Sequence, residues 1–213
     1  MNFRKHLIYL FFLAFLTPVC SAQIAGTSHD FSSESWAPAE NRLCVVCHTT
    51  HNSNAIPSAP LWNHELTAVA GYTLYSSATF DGSGSITNPS ASSKLCLSCH
   101  DGTVALDSFG GASGSTYLTG SAQLGGVSGN NLSTEHPISF VYNSALSTAD
   151  PGLFDPSVAP SGITITGTID EDMLFSNKME CASCHDVHNK YGNSHLLKLD
   201  NTNSELCLTC HDK

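Results

Sequence analysis

Eight of the nine cysteines fall into four Cys-x-x-Cys pairs, and histidine follows each pair at once: Cys44, Cys47 and His48; Cys96, Cys99 and His100; Cys181, Cys184 and His185; Cys207, Cys210 and His211. Two thiols at this spacing add to the vinyl groups of a haem, and the adjacent imidazole reaches the iron from one face. The spacing therefore predicts four covalently attached haem c groups, with His48, His100, His185 and His211 as proximal iron ligands. Two other chemistries use paired cysteines. Zinc sites combine two pairs into a tetrahedral set, which gives no reason for a histidine after every second cysteine. A disulfide framework suits an exported chain, but four bridges at such close spacing would close only small local loops.

The irons have two axial positions each, and the motifs fill half of them. Six further histidines lie downstream of the first apolar run: His29, His51, His64, His136, His188 and His195. An ordinary solvated or core histidine is the alternative at each, yet six is an excess in a chain with only 12% charged residues. Iron held by two imidazoles has no open position for a substrate, which suits electron transfer and disfavours haem catalysis. His51 and His188 each follow a motif histidine by three residues, and so short a connection cannot wrap around a porphyrin to its other face. Each must serve another iron, and because three residues span at most about 10 Å, two haems would lie side by side. Pro137 restricts the backbone of His136 and helps to fix it as a ligand. His29 lies in a segment that needs a tie to stay ordered, which an iron bond would supply. For His64, ligation competes with a hydrogen bond to a haem propionate and with plain exposure to water; His195 has least in its favour.

The elements that must position these groups are sparse. Arg4 and Lys5, the apolar run from Leu7 to Leu16 and the small residues before Gln23 predict a secretory signal over residues 1–22; the alternative, a lipid-modified Cys20, fits poorly because Val19 is too large for that cleavage site. Residues 23–213 then form a single tetrahaem unit of internally duplicated two-haem modules, about 44–101 and 181–212. The duplication is visible as CVVCHTTHN (44–52) against CASCHDVHN (181–189), and SSKLCLSCHD (92–101) against NSELCLTCHD (203–212). Short helices are expected over Ser92–His100 and Asn203–His211, with leucines 95, 97, 206 and 208 available to cover porphyrin faces, and a short strand over Ile163–Ile169. The Gly/Ser/Thr-rich stretch 108–131 reads as a loop around the cofactors. The expected fold is mostly irregular coil with a few short helices and minimal strand, wrapped around a closely packed haem array. With Lys+Arg 8 against Asp+Glu 18 and a formal charge of -10, a basic nucleic-acid-binding surface is disfavoured. No later apolar run approaches the roughly 18 residues that span a bilayer.

Ser28-His29-Asp30-Phe31, CVVCHTTHN, Pro60-Leu61-Trp62-Asn63, SSKLCLSCHDGTVALD, Glu135-His136-Pro137-Ile138, CASCHDVHN and LCLTCH together resemble the tetrahaem doubled-CxxCH cytochromes of the OmcE-like, filament-forming kind. The resemblance implies bis-histidine ligation, with His29, His51, His136 and His188 as the preferred distal set, and little regular secondary structure. It also implies extracellular electron transfer through a homopolymer built by head-to-tail contacts, exchanging electrons with other redox cytochromes or extracellular acceptors. One subunit's histidine can complete a haem of its neighbour in such filaments, and His51, with His29 second, is the expected bridge. A monomeric periplasmic shuttle is the alternative; a multihaem reductase is disfavoured because no residue pattern marks a substrate pocket.

Overall fold

A computed structural model describes residues 23–37, 42–56, 59–89 and 91–212. The expected signal, residues 1–22, lies outside the described residues. Regular structure is scarce, because the chain is broken by Gly, Pro, Asn and Ser at short intervals and no apolar periodicity lasts long enough to build a layered core. Among the described residues the strands pair only in twos. β1 (Asn54–Ile56) runs antiparallel to β2 (Ala59–Trp62). β3 (Thr73–Leu74) runs parallel to β4 (Asn131–Leu132). β5 (Phe140–Val141) is antiparallel to β6 (Lys178–Met179).

The helices are short, and three of them carry cysteine motifs. α1 (Ala91–His100) holds the second motif. α2 (Ser144–Ala149) starts at Asn143, whose side chain accepts from the Leu146 amide. α3 (Ile169–Met173) starts with a capping box between Thr168 and Glu171, and Asp170, Glu171 and Asp172 complement its positive N-terminal end. α4 (Cys181–Cys184) and α5 (Glu205–Cys210) hold the third and fourth motifs. The fourth begins in a 3-10 turn over Thr202–Ser204, so the single helix expected over Asn203–His211 is divided. No helix of the described residues is long and apolar enough to cross a membrane.

The strand expected over Ile163–Ile169 is not formed. Ser161 and Thr164 hydroxyls and the Thr164 amide all donate to the Asp172 carboxylate, which folds the stretch into a loop. Its alternation is only local: Ile163 packs against the core while Ile165 stands fully in solvent.

One apolar cluster unites Phe140, Tyr142, Leu146, Ile169, Met173, Leu174, Met179, Leu206 and Cys210. The Tyr142 hydroxyl donates to the Phe154 carbonyl at 2.7 Å. A second, polar centre surrounds Asp101, whose carboxylate accepts from Thr67 and Tyr72 hydroxyls and from the Thr103 amide and hydroxyl. Asp101 directly follows the second motif, so this network anchors His100. Leu97 and Leu206 are buried in protein and Leu208 is 43% exposed, so the four leucines do not form one surface.

Candidate functional site

Three of the four motifs are held by the same backbone clip. In the first, the Asn63 amide donates to the Cys47 carbonyl and the Thr49 amide to the Leu61 carbonyl, at 2.9 Å each. The third repeats it with Lys198 on Cys184 and Asp186 on Leu196, and the fourth with Phe154 on Cys210 and Asp212 on Gly152. His48, His185 and His211 are thereby paired with Trp62, Leu197 and Leu153. Leu61 and Leu196 occupy matching points of the clip, and both take the left-handed conformation, φ 59 and 57, which is uncommon for a bulky residue. Asn52 and Asn189, the last residues of the repeated nine, do so as well. The second motif differs: its helix runs through His100, and the Leu124 amide donates to the His100 carbonyl.

Backbone carbonyls fix the tautomer of three motif imidazoles. Nδ1 of His48 faces the Pro60 carbonyl at 3.0 Å, that of His100 the Ala122 carbonyl at 2.8 Å, and that of His185 the His195 carbonyl at 3.0 Å. A carbonyl only accepts, so Nδ1 carries the proton and the Nε2 lone pair is left for a metal. His136 is oriented the same way by the Pro137 carbonyl at 2.9 Å, and Nδ1 of His188 lies 3.7 Å from the Asp186 carboxylate.

Three motif histidines have a second imidazole across from them. The ring centres of His29 and His100 are 6.0 Å apart, those of His48 and His188 6.2 Å, and those of His136 and His211 6.4 Å. Two imidazoles sharing one metal, each with a metal–nitrogen bond of about 2 Å and a ring centre roughly 1 Å behind the nitrogen, have centres about 6 Å apart. The donor set and its spacing therefore fit haem iron. His29 also has a buried ring nitrogen with no hydrogen-bond partner. Its pKa is lowered to about 4, by burial first and then by the charges of His100 and His185. It is neutral at pH 7, as an iron ligand must be. His188 sits opposite His48, across from a motif other than its own, in keeping with the reach argument. His51 and His185 are exposed, and among the described residues neither has an imidazole set against it in this way.

Consecutive motifs are neighbours through their cysteines. The Cys96 thiol is hydrogen-bonded to that of Cys181, which pushes Cys96 up and draws Cys181 down. Burial pushes the thiol of Cys47 up to about 11 and those of Cys99 and Cys210 up to about 12, with the charge of Cys47 adding at Cys99 and that of Cys184 at Cys210. Among the described residues the eight motif cysteines form no disulfide, and no three His, Cys, Asp or Glu side chains converge as a metal-binding cluster.

His64 lies beside the second motif with no second imidazole pairing it to a motif histidine among the described residues. It is 1% exposed, with Nδ1 on the Glu65 carbonyl at 2.8 Å and Nε2 on the Ala105 carbonyl at 3.1 Å, beside the Cys99 sulfur at 3.6 Å. Each nitrogen faces a backbone carbonyl, to one of which a neutral ring donates, and the enclosed ring buttresses the second motif. His195 is exposed and contributes its carbonyl to His185. Sequence reasoning passed over Glu180 and Ser93, which join the second and third motifs. Ser93 and Ser139 hydroxyls donate to the buried Glu180 carboxylate, and Ser93 accepts from the Cys181 amide. The only hint in the sequence was their position, each three residues or fewer before a motif.

Residues 175–213 match the doubled CXXCH motif family. The matched stretch contains the third and fourth motifs and supports a multihaem c-type cytochrome, with the CXXCH motifs binding haem c covalently. No protein of curated function matches the chain.

Proposed function

We propose that the chain carries four haem c groups in motif order and conducts electrons along them, as the subunit of a head-to-tail extracellular polymer. The observation that supports this most is the set of three imidazole pairs with ring centres 6.0 to 6.4 Å apart, each joining a motif histidine to one of the extra histidines. Cys44, Cys47, Cys96, Cys99, Cys181, Cys184, Cys207 and Cys210 would hold the haems. His48, His100, His185 and His211 would be the proximal ligands, and His188, His29 and His136 the distal ligands of the first, second and fourth irons. Bound haem supplies a reversible one-electron change at iron. The chain's part would be to set an imidazole on each side of three irons, so that no substrate or oxygen enters there, and to keep the Nδ1 protons of His48, His100, His136 and His185 on fixed carbonyls. Fixed ligands change little between oxidation states, which lowers the reorganisation that accompanies each transfer.

Within this reading the third iron lacks a second imidazole from its own chain, and His51 lacks an iron. A His51 from the next subunit would complete both. Coordination between subunits makes the contact heterologous, and a heterologous contact that does not close gives a filament. Intact mass and the oxidised spectrum test the haem count and ligation together. The expected outcome is four haem additions on the exported chain and low-spin iron throughout in assembled material. Fewer additions sink the tetrahaem reading, and a monodisperse monomer with fully low-spin iron favours the soluble shuttle.

A further inference from the structure

The chain has two tryptophans, and both have a buried indole N–H with no hydrogen-bond partner. A buried donor left without an acceptor is destabilising, so two in one small protein point to a missing acceptor. Their positions say what it is. Trp62 is paired with His48 through the first clip, and its ring meets the His48 imidazole edge-on at 6.2 Å and 89°. Trp36 lies between Phe31 at 5.3 Å and Phe109 at 6.3 Å, and Phe31 in turn meets His29, the ring opposite His100. Each tryptophan thus flanks one imidazole pair. The Ser92 hydroxyl, also buried and unpartnered, lies on α1 four residues before Cys96 and seven before Cys99, on the same helical stripe.

Resting on the proposed tetrahaem reading, we infer that the indole N–H groups of Trp62 and Trp36 are donors to propionate carboxylates of the first and second haems, with Ser92 as a further donor at the second. Water is a poorer occupant. A buried water needs two to four polar partners, whereas the Trp36 ring is flanked by Phe31 and Phe109. Charge argues the same way. Each haem brings a pair of carboxylates into a chain with Lys+Arg 8 against Asp+Glu 18, so cations are too few to neutralise them. Neutral N–H and O–H donors then hold the ionised form, and bonds to a charged acceptor are the strong ones. A donor at a propionate keeps it ionised to lower pH and so sets the pH range in which iron reduction is linked to proton uptake.

The test uses the mature tetrahaem protein. Trp62→Phe and Trp36→Phe keep an aromatic ring and remove only the donor. Potentiometric titration across pH should show the proton-linked bend of one haem moving up by about one pH unit in each variant, a roughly tenfold weaker acid, with iron still low-spin. A merely structural role for the rings would leave that bend in place. Should a variant fail to mature, the ultraviolet resonance Raman bands of the two indoles in the unaltered protein decide: strongly donating indoles support the assignment. Unbonded or water-bonded indoles overturn it, as do variant curves that superimpose on the parent's. Absence of haem mass from the unaltered protein would instead be a failure of the tetrahaem reading.

Discussion

Glu180 has its carboxylate shut off from water between the second and third motifs, with the Ser93 and Ser139 hydroxyls as donors. Burial, the largest influence, raises its pKa above the ordinary 4.5, against the opposing pull of those donors and of Lys178. Its proton is therefore lost from the unfolded chain at lower pH than from the folded protein. Below the ordinary value both states hold the proton and the contribution to stability is complete; as pH rises from 4.5 towards the raised value, only the unfolded chain sheds it, and stability falls. Glu180→Gln removes that dependence, so thermal unfolding of the variant should gain on the parent as pH rises through this window. A constant offset between the two curves would show that Glu180 does not titrate there. At this scale the sequence was most legible where covalent chemistry imposes a spacing: the Cys-x-x-Cys-His units point to covalent haem c, which the doubled CXXCH match over residues 175–213 supports. It was less legible for the distal histidines. Reach alone excluded His188 from the iron of His185, but only the folded chain set it opposite His48. His64 looked like a ligand candidate because nothing in Asn63-His64-Glu65 reveals that its buried ring is enclosed between the Glu65 and Ala105 carbonyls.

The clip is the unit that recurs among the elements. Three CxxCH segments use it, yet the partner strand follows the first and third motifs and precedes the fourth, so a search for repeats along the chain finds the motifs and misses the clip. The predicted Ile163–Ile169 strand failed for the same reason: alternation describes a local preference, and the Asp172 carboxylate, several residues away, decides the conformation. Helix α1 was predictable because its polar start and its length are written locally. The second motif relies instead on the turn over residues 125–131. Gly129 has φ +69, and a Cβ there would meet the Asp101 carbonyl at 2.5 Å and the Thr103 methyl at 2.6 Å. Neither the backbone conformation nor the contact tolerates a side chain, and Asp101 adjoins His100. Gly129→Ala should cost about 3 kcal/mol, roughly 6–12 °C in Tm for a chain of this size, and disturb the spectrum of one haem. An unchanged Tm would mean that the turn yields freely and is not what positions the second motif.

Across the whole molecule the apolar core is small. Among the described residues its main cluster is nine buried side chains, too few to organise strands of two to four residues and helices of ten or fewer. On the tetrahaem reading the missing apolar contacts belong to the porphyrins. The expected loop character of 108–131 follows from the same economy, with glycines at 110, 111, 120, 125, 126 and 129 taking positive φ. The proposed head-to-tail assembly would extend the logic from inside the subunit to its junctions. With His29, His188 and His136 opposite the second, first and fourth motif histidines, the surplus donor His51 and the incomplete acceptor His185 are both exposed. On the proposed tetrahaem reading one chain would not satisfy both through the pairs it forms, whereas a row of identical chains would, each giving His51 forward to the next subunit's third haem. His51→Ala should therefore yield folded subunits with all four haems attached, one of them five-coordinate and high-spin, that do not polymerise. Added imidazole should return that iron to the low-spin state without restoring filaments, because a free ligand fills the coordination position but joins no two chains. Negative-stain images of the variant read the first outcome and the oxidised spectrum the second. Normal filaments from His51→Ala would remove this histidine as the bridge, and low-spin iron at all four haems would place the missing ligand within the chain.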